Sequence, residues 1–203
     1  MSAPPAGREV LAPLPRTAED PWTVANRITL VRTVAALAIG ATASVQRSIP
    51  LLVVAYAVYW IGDVLDGQVA RRTGTETRQG AVLDILSDRA CCGVLAATYL
   101  ALEPGAAPAI TVFLLQFMVV DCVLSLGFLR WPLLSPNHFG RVDRRLYLWN
   151  WHPVAKAVNT TALVLVVATG AHTAALVLAS AQLVVKSVSL VALTRLLADR
   201  PGG

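Results

Sequence analysis

Apolar residues run through this chain in blocks longer than any soluble amphipathic helix requires. The blocks lie at about 27–46, 50–71, 80–101, 107–129, 153–170 and 172–197. A helix crossing the ~30 Å hydrocarbon layer needs about 20 mostly apolar residues, so each block reads as a membrane span. Polar or turn-forming stretches separate them: Arg47-Ser48-Ile49-Pro50, Arg71 to Gln79, Glu103-Pro104-Gly105, the long segment 130–152, and Gly170-Ala171-His172. The last break is short, which makes the fifth and sixth blocks an antiparallel hairpin. The pattern predicts an all-α, polytopic membrane protein with six transmembrane helices.

Composition agrees with that pattern. The 203 residues are 56% hydrophobic and only 14% charged, with a mean hydropathy of +0.61; soluble domains carry about 25% charged residues. Pro4, Pro5, Pro13, Pro15 and Pro21 punctuate a start that has no apolar signal core. Residues 1–21 are therefore expected to be a disordered cytoplasmic tail, 22–198 the six-helix membrane domain and 199–203 a short tail. Cys91, Cys92 and Cys122 lie in apolar runs without metal-ligand spacing and read as small buried hydrophobes.

Charge sets the orientation. Arg8, Arg16 and Arg27 precede or open the first span, Arg71, Arg72 and Arg78 follow the second, and Arg130, Arg141, Arg144 and Arg145 follow the fourth. Arg200 lies beyond the last span, and the opposite connections hold only Arg47. The positive-inside rule then places both termini and both basic loops in the cytoplasm. The net charge of +5 thus belongs to a face suited to anionic lipid headgroups, not to nucleic acid. Trp22, Trp131, Trp149 and Trp151 are expected at the same interface, as aromatic belts are.

Four carboxylates interrupt the apolar pattern. The second and third blocks read Asp63-x-x-Asp66-Gly67-x-x-Ala70-Arg71, then eight residues, then Gly80-x-x-x-Asp84-x-x-x-Asp88. A charge at mid-bilayer costs at least about 2.5 kcal/mol on insertion scales and usually marks function. At ~100° per residue, each Asp pair projects from one face of its helix. The second span runs toward the cytoplasm and the third away, so all four share a depth a few turns below that surface. Unpartnered, such anions would repel one another. A divalent cation resolves the conflict, and oxygen-only ligation favours Mg²⁺, Mn²⁺ or Ca²⁺. Gly67, Ala70 and Gly80 leave room for a phosphorylated ligand against the backbone, and Arg71 offers a bidentate phosphate donor. Small-residue helix packing with buried ion pairs explains one such Asp but not four at these spacings. An alternative of another class is a cation-coupled small-solute transporter that uses the Asp cluster.

This arrangement resembles the signature of the CDP-alcohol phosphotransferases, with every fixed position present. Asn26-Arg27-Ile28-Thr29-Leu30-Val31-Arg32 is similar to the family's Asn-x-x-Thr-x-x-Arg opening of the first helix. The resemblance implies a membrane enzyme that moves a phosphatidyl or similar group from a CDP-linked lipid, such as CDP-diacylglycerol, to an alcohol and releases CMP. It implies Mg²⁺ or Mn²⁺ on Asp63, Asp66 and Asp84, with Asp88 completing the cluster and acting as general base. Gly67, Ala70, Arg71 and Gly80 would form the nucleotide site, with Asn26, Thr29 and Arg32 nearby, and the protein would be a homodimer. Arg141, Arg144, Arg145 and Lys156 are candidates to grip an acceptor phosphate, as in glycerol 3-phosphate, an inositol phosphate or phosphatidylglycerol. The glycerol-phosphate branch usually has proline after its third Asp, where this chain has Ile85. Asp121 and Lys186, inside the fourth and sixth spans, either line the acceptor pocket or form a structural pair.

Overall fold

The structure, a computed structural model, describes residues 20–199. Residues 1–19 and 200–203, which hold most of the expected tails, lie outside the described residues. Among the described residues, seven helices follow one another, with a 3-10 turn at Pro136–Arg141 between the fourth and fifth: α1 (Val24–Gln46), α2 (Ile49–Thr73), α3 (Arg78–Leu102), α4 (Pro104–Arg130), α5 (Arg144–Asn150), α6 (residues 153–168) and α7 (His172–Ala198). The described residues contain no strand. Helices α1, α2, α3, α4 and α7 are long and apolar enough to cross a membrane. At 1.5 Å per residue, α6 is about 24 Å long, short of the ~30 Å layer. The six expected blocks are thus all helical, five at full spanning length.

Local chemistry ends each helix where the polar breaks fall. Arg47 takes a left-handed conformation (φ 50°) after α1, and the Ser48 side chain accepts from Leu51 N–H to start α2. Gly74 (φ 64°) closes α2 and Gly170 (φ 75°) separates α6 from α7, at positions where a side chain would be strained. Thr77 accepts from Gly80 N–H and opens α3. These tight turns make α1, α2 and α3 consecutive antiparallel neighbours. Small residues let them approach: Ala36, Gly40 and Ala43 are buried on α1, and a Cβ at Gly40 would lie 2.9 Å from Leu95 Cδ2.

The second half of the molecule packs α4 against α7. Ala106, Phe113, Phe117, Leu163, Ala175 and Ala179 form one core there. A second core gathers Ile85, Phe128, Trp131, Phe139, Trp151 and Leu193. Trp131 and Trp151 therefore depart from the expected aromatic belt. The turn Pro136–Arg141 folds Phe139 inward, 5.1 Å from the Trp131 ring and 4.8 Å from the Trp151 ring, so both indoles have an interior partner. Trp22 and Trp149 are exposed. Valines such as Val34, Val53, Val177 and Val184 point outward, which suits a surface that meets lipid.

Two stretches leave the α-helical register. Leu115–Val120 in α4 and Val158–Ala162 in α6 are π-helical. In the first, Asp121 N–H donates to the Gln116 carbonyl five residues back, so Gln116 and Asp121 stand one wide turn apart. In the second, Gln182 Nε2 on α7 donates to the Val158 carbonyl at 2.8 Å.

Candidate active site

Three helices build the site, and one side chain holds it together. Helix α2 presents Asp63 and Asp66, and α3 presents Asp84 and Asp88, as the i,i+3 and i,i+4 spacings predict. From α1, the buried Arg32 reaches all four. Its Nε donates to Asp66 Oδ2 at 2.8 Å. Its Nη2 donates to Asp63 Oδ1 at 3.1 Å and to Asp84 Oδ1 at 2.6 Å. The contacts to Asp88 Oδ1 are longer, 3.4 and 3.5 Å. One helical turn before Arg32, Thr29 Oγ1 donates to the same Asp66 oxygen at 2.6 Å.

The four carboxylates differ in access. The Asp66 side chain is 6% exposed, Asp88 20%, Asp63 37% and Asp84 41%. Asp66 is thus the floor of the site, and Asp63 and Asp84 are open to a ligand. Carboxylate oxygens of Asp63, Asp66 and Asp84 lie within 4.8 Å of one another. One guanidinium against four carboxylates leaves an excess of negative charge. An all-oxygen, anionic donor set of this spacing fits a hard divalent cation such as Mg²⁺ or Mn²⁺.

Other expected site residues border the cluster. A Cβ at Gly80 would collide with Asn26 Oδ1, so that glycine lets α3 lie against the start of α1. Asn26 Nδ2 in turn donates to the Pro21 carbonyl at 2.9 Å. The Arg71 guanidinium lies back toward Gly67, where an added Cβ would sit 3.0 Å from Nη1. Ala70 is partly buried beside them on α2. Outside the membrane spans, Glu76 accepts a 3.1 Å contact from His138 and ties the α2–α3 loop to the turn Pro136–Arg141. The bond to His138 holds the Glu76 carboxyl below its usual range against the opposing effect of burial, and the charges of His138 and Arg71 help.

The expected acceptor residues are not gathered in one place. Arg141, Arg144 and Arg145 are exposed, and among the described residues no ion pair joins them to the carboxylates. Lys156 is exposed on α6. Asp121 is buried in a different polar cluster. Its Oδ1 is 2.6 Å from Lys186 Nζ, and its Oδ2 pairs with Arg89 on α3. Asp121 and Lys186 thus form an ion pair.

Residues 22–197 match the family model of CDP-alcohol phosphatidyltransferase. The chain belongs to the CDP-alcohol phosphatidyltransferase family. No match was found among curated proteins or among solved structures. This CDP-alcohol phosphatidyltransferase is an integral membrane enzyme of phosphatidyl transfer, with a CDP-linked donor and an alcohol acceptor. Members generally use a divalent metal, and the carboxylate cluster offers a place for one.

Three residues escaped the sequence reading of this transferase. At Gly62, a Cβ would lie 2.5 Å from Arg32 Cβ, so only glycine leaves room for the central arginine. Its signal was its place one turn before Asp66 on the same face. Tyr59 places its ring 5.4 Å from the Arg32 guanidinium carbon, and nothing in the sequence distinguished it from other apolar-block aromatics. Arg89 was detectable, because a basic residue inside an apolar block needs a partner.

Proposed function

We propose that this transferase moves a phosphatidyl group from CDP-diacylglycerol to a phosphorylated alcohol and releases CMP, at a site facing the cytoplasm. Glycerol 3-phosphate, an inositol phosphate and phosphatidylglycerol are acceptors of this class. The observation that supports it most is the convergence of Asp63, Asp66, Asp84 and Asp88 on Arg32, with Asp63 and Asp84 open to approach. A lipid donor suits this placement, because its tails can stay in the bilayer while the cytidine reaches water.

In this reading Asp63, Asp66 and Asp84 hold Mg²⁺ or Mn²⁺, with Asp88 at the edge of the set. A bound ion would offset the charge that builds on the transferring phosphoryl group and on departing CMP. Gly67, Ala70, Arg71 and Gly80, with Asn26, wall the cytidine diphosphate. Thr29 and Arg32 serve that side by fixing Asp66. The acceptor hydroxyl oxygen forms a bond to the donor's β-phosphorus as the bond from that phosphorus to the bridging oxygen breaks. CMP leaves with that electron pair, and the hydroxyl proton passes to Asp88. Asp88 suits the role because Arg32 holds it by the longest contacts of the four, leaving it the most available to a proton. Lys156, exposed on α6, offers a cation to an acceptor phosphate. Arg141, Arg144 and Arg145 offer charge at the surface from which a soluble anion arrives, and Asp121 borders the acceptor side through Arg89. Two copies associate in the membrane as a homodimer.

The test is CMP release by purified protein given CDP-diacylglycerol, Mg²⁺ or Mn²⁺ and a panel of alcohols. Release should require the ion and a phosphorylated acceptor; no release with any alcohol overturns the reading. With the active acceptor, Lys156→Ala should raise acceptor KM about tenfold at unchanged donor KM, the loss expected for one charge-assisted phosphate contact. Arg141→Ala, Arg144→Ala and Arg145→Ala should shift it less. Four unchanged acceptor constants would point to an uncharged alcohol.

A further inference from the structure

Beside the carboxylate site, and outside its motif, a single buried carboxylate joins three helices. Asp121 on α4 accepts from Arg89 on α3 at Oδ2 and from Lys186 on α7 at Oδ1, the latter at 2.6 Å. Ser125 Oγ adds a 3.4 Å bond to Oδ2. The Arg89 guanidinium carbon lies 4.1 Å from the centre of the Phe117 ring, which belongs to the π-helical turn of α4. The two cations are not equivalent. Lys186 anchors α7, which carries none of the four site carboxylates. Arg89 directly follows Asp88 in α3.

We propose that Asp121, acting through Arg89, is a positioning residue for the transfer reaction, fixing the rotation of α3 that presents Asp84 and Asp88 to α2. The proposal rests on the roles given above to Asp84 and Asp88. A side chain's polar end stands about 6 Å from its helix axis, so a 10° turn of α3 would carry both carboxylates about 1 Å. A misplacement of that size can cost about 100-fold in rate. Arg32 meets Asp84 and Asp88 from one side of α3. The Arg89–Asp121 bond holds the helix from another, against α4. The π turn supports this hold. It brings Asp121 onto the side of α4 where Gln116 is also wholly buried, and it carries the ring on which Arg89 lies.

Two matched variants test the proposal. Arg89→Met and Lys186→Met each remove one of the two buried cations and leave Asp121 in a single ion pair. They balance charge equally, and only the first cuts α3 loose. Each is compared with wild type for kcat and donor KM with CDP-diacylglycerol and the best acceptor, for Mn²⁺ affinity by electron paramagnetic resonance, and for thermal unfolding in detergent. Arg89→Met should lose at least about tenfold in kcat and in Mn²⁺ affinity, with donor KM within about twofold, because the shift moves Asp84 away from Asp63 and Asp66. Lys186→Met should stay within about twofold of wild type in kcat, donor KM and Mn²⁺ affinity, at whatever cost in thermal stability. Arg89→Lys, which keeps a shorter tether to Asp121, should fall between wild type and Arg89→Met. If Arg89→Met does not fold, Arg89→Lys decides: reduced kcat and Mn²⁺ affinity support the proposal, and wild-type values overturn it. Equal losses in the two Met variants, or none in Arg89→Met, also overturn it. Wild type that binds Mn²⁺ but releases no CMP would defeat the proposed reaction and leave the Mn²⁺ comparison to judge the positioning role; wild type that does neither overturns both.

Discussion

In the proposed reaction, individual side chains carry separable tasks. Asp63→Asn or Asp84→Asn should abolish CMP release and weaken Mn²⁺ binding together, since each removes an anionic oxygen from the trio within 4.8 Å. Asp88→Asn should instead cut kcat by about 10²–10⁴, the usual worth of a general base, with a much smaller change in donor affinity. Rate and affinity that fall in parallel would make Asp88 chiefly a ligand. Gly62→Ala introduces a Cβ 2.5 Å from Arg32 Cβ, on the stiff root of that side chain and not its movable end. It should cost about 1–3 kcal/mol of stability, as overpacking does, and lower kcat by displacing the guanidinium; a wild-type melting curve and rate would refute the close fit. The four carboxylates were legible in the sequence because spacing alone puts each pair on one face. The place of Arg32 at their centre was not legible, because it depends on how closely α1 approaches α2, and that distance is set by a missing methyl group at residue 62.

Among the elements, the connections govern the response to acid. Glu76 and His138 join the α2–α3 loop to the turn Pro136–Arg141. The Glu76 carboxyl is held below its ordinary value, first by the hydrogen bond from His138. A folded-state pKa lowered in this way contributes stability that is present above the unfolded value of about 4.3 and is lost as pH falls through the folded value. Wild-type melting temperature should therefore drop below about pH 4.3 by a component that Glu76→Gln lacks; identical acid profiles would mean that the pair does not stabilise the fold. Helix positions were readable because hydrocarbon thickness dictates the length of an apolar block, and Gly74 and Gly170 punctuate where a left-handed turn is needed. The π turns at Leu115–Val120 and Val158–Ala162 were not. They answer to tertiary partners, Gln182 for the second, that no local pattern reveals. Trp131 and Trp151 went astray for the same reason: an indole beside a basic loop has the composition of an interface residue, and only the fold of Phe139 between them turned both inward.

At the scale of the whole molecule, the four carboxylates and the arginine that meets them lie on the first three helices in chain order. Arg32 lies on α1, Asp63 and Asp66 on α2, Asp84 and Asp88 on α3. Chains are made from the N-terminus, and the earlier parts fold first. The cation therefore enters the bilayer ahead of the anions, and each acidic pair meets it on arrival. Stripping divalent ions with EDTA should then leave the purified protein monodisperse and folded, whereas Arg32→Ala should yield misassembled protein even when Mg²⁺ is abundant; the reverse result would assign the assembly role to the ion. An arginine so placed would let the fold assemble without a bound ion. On that outcome, insertion of the chain and loading of its site would be separate events, with the ion arriving at a fold already assembled.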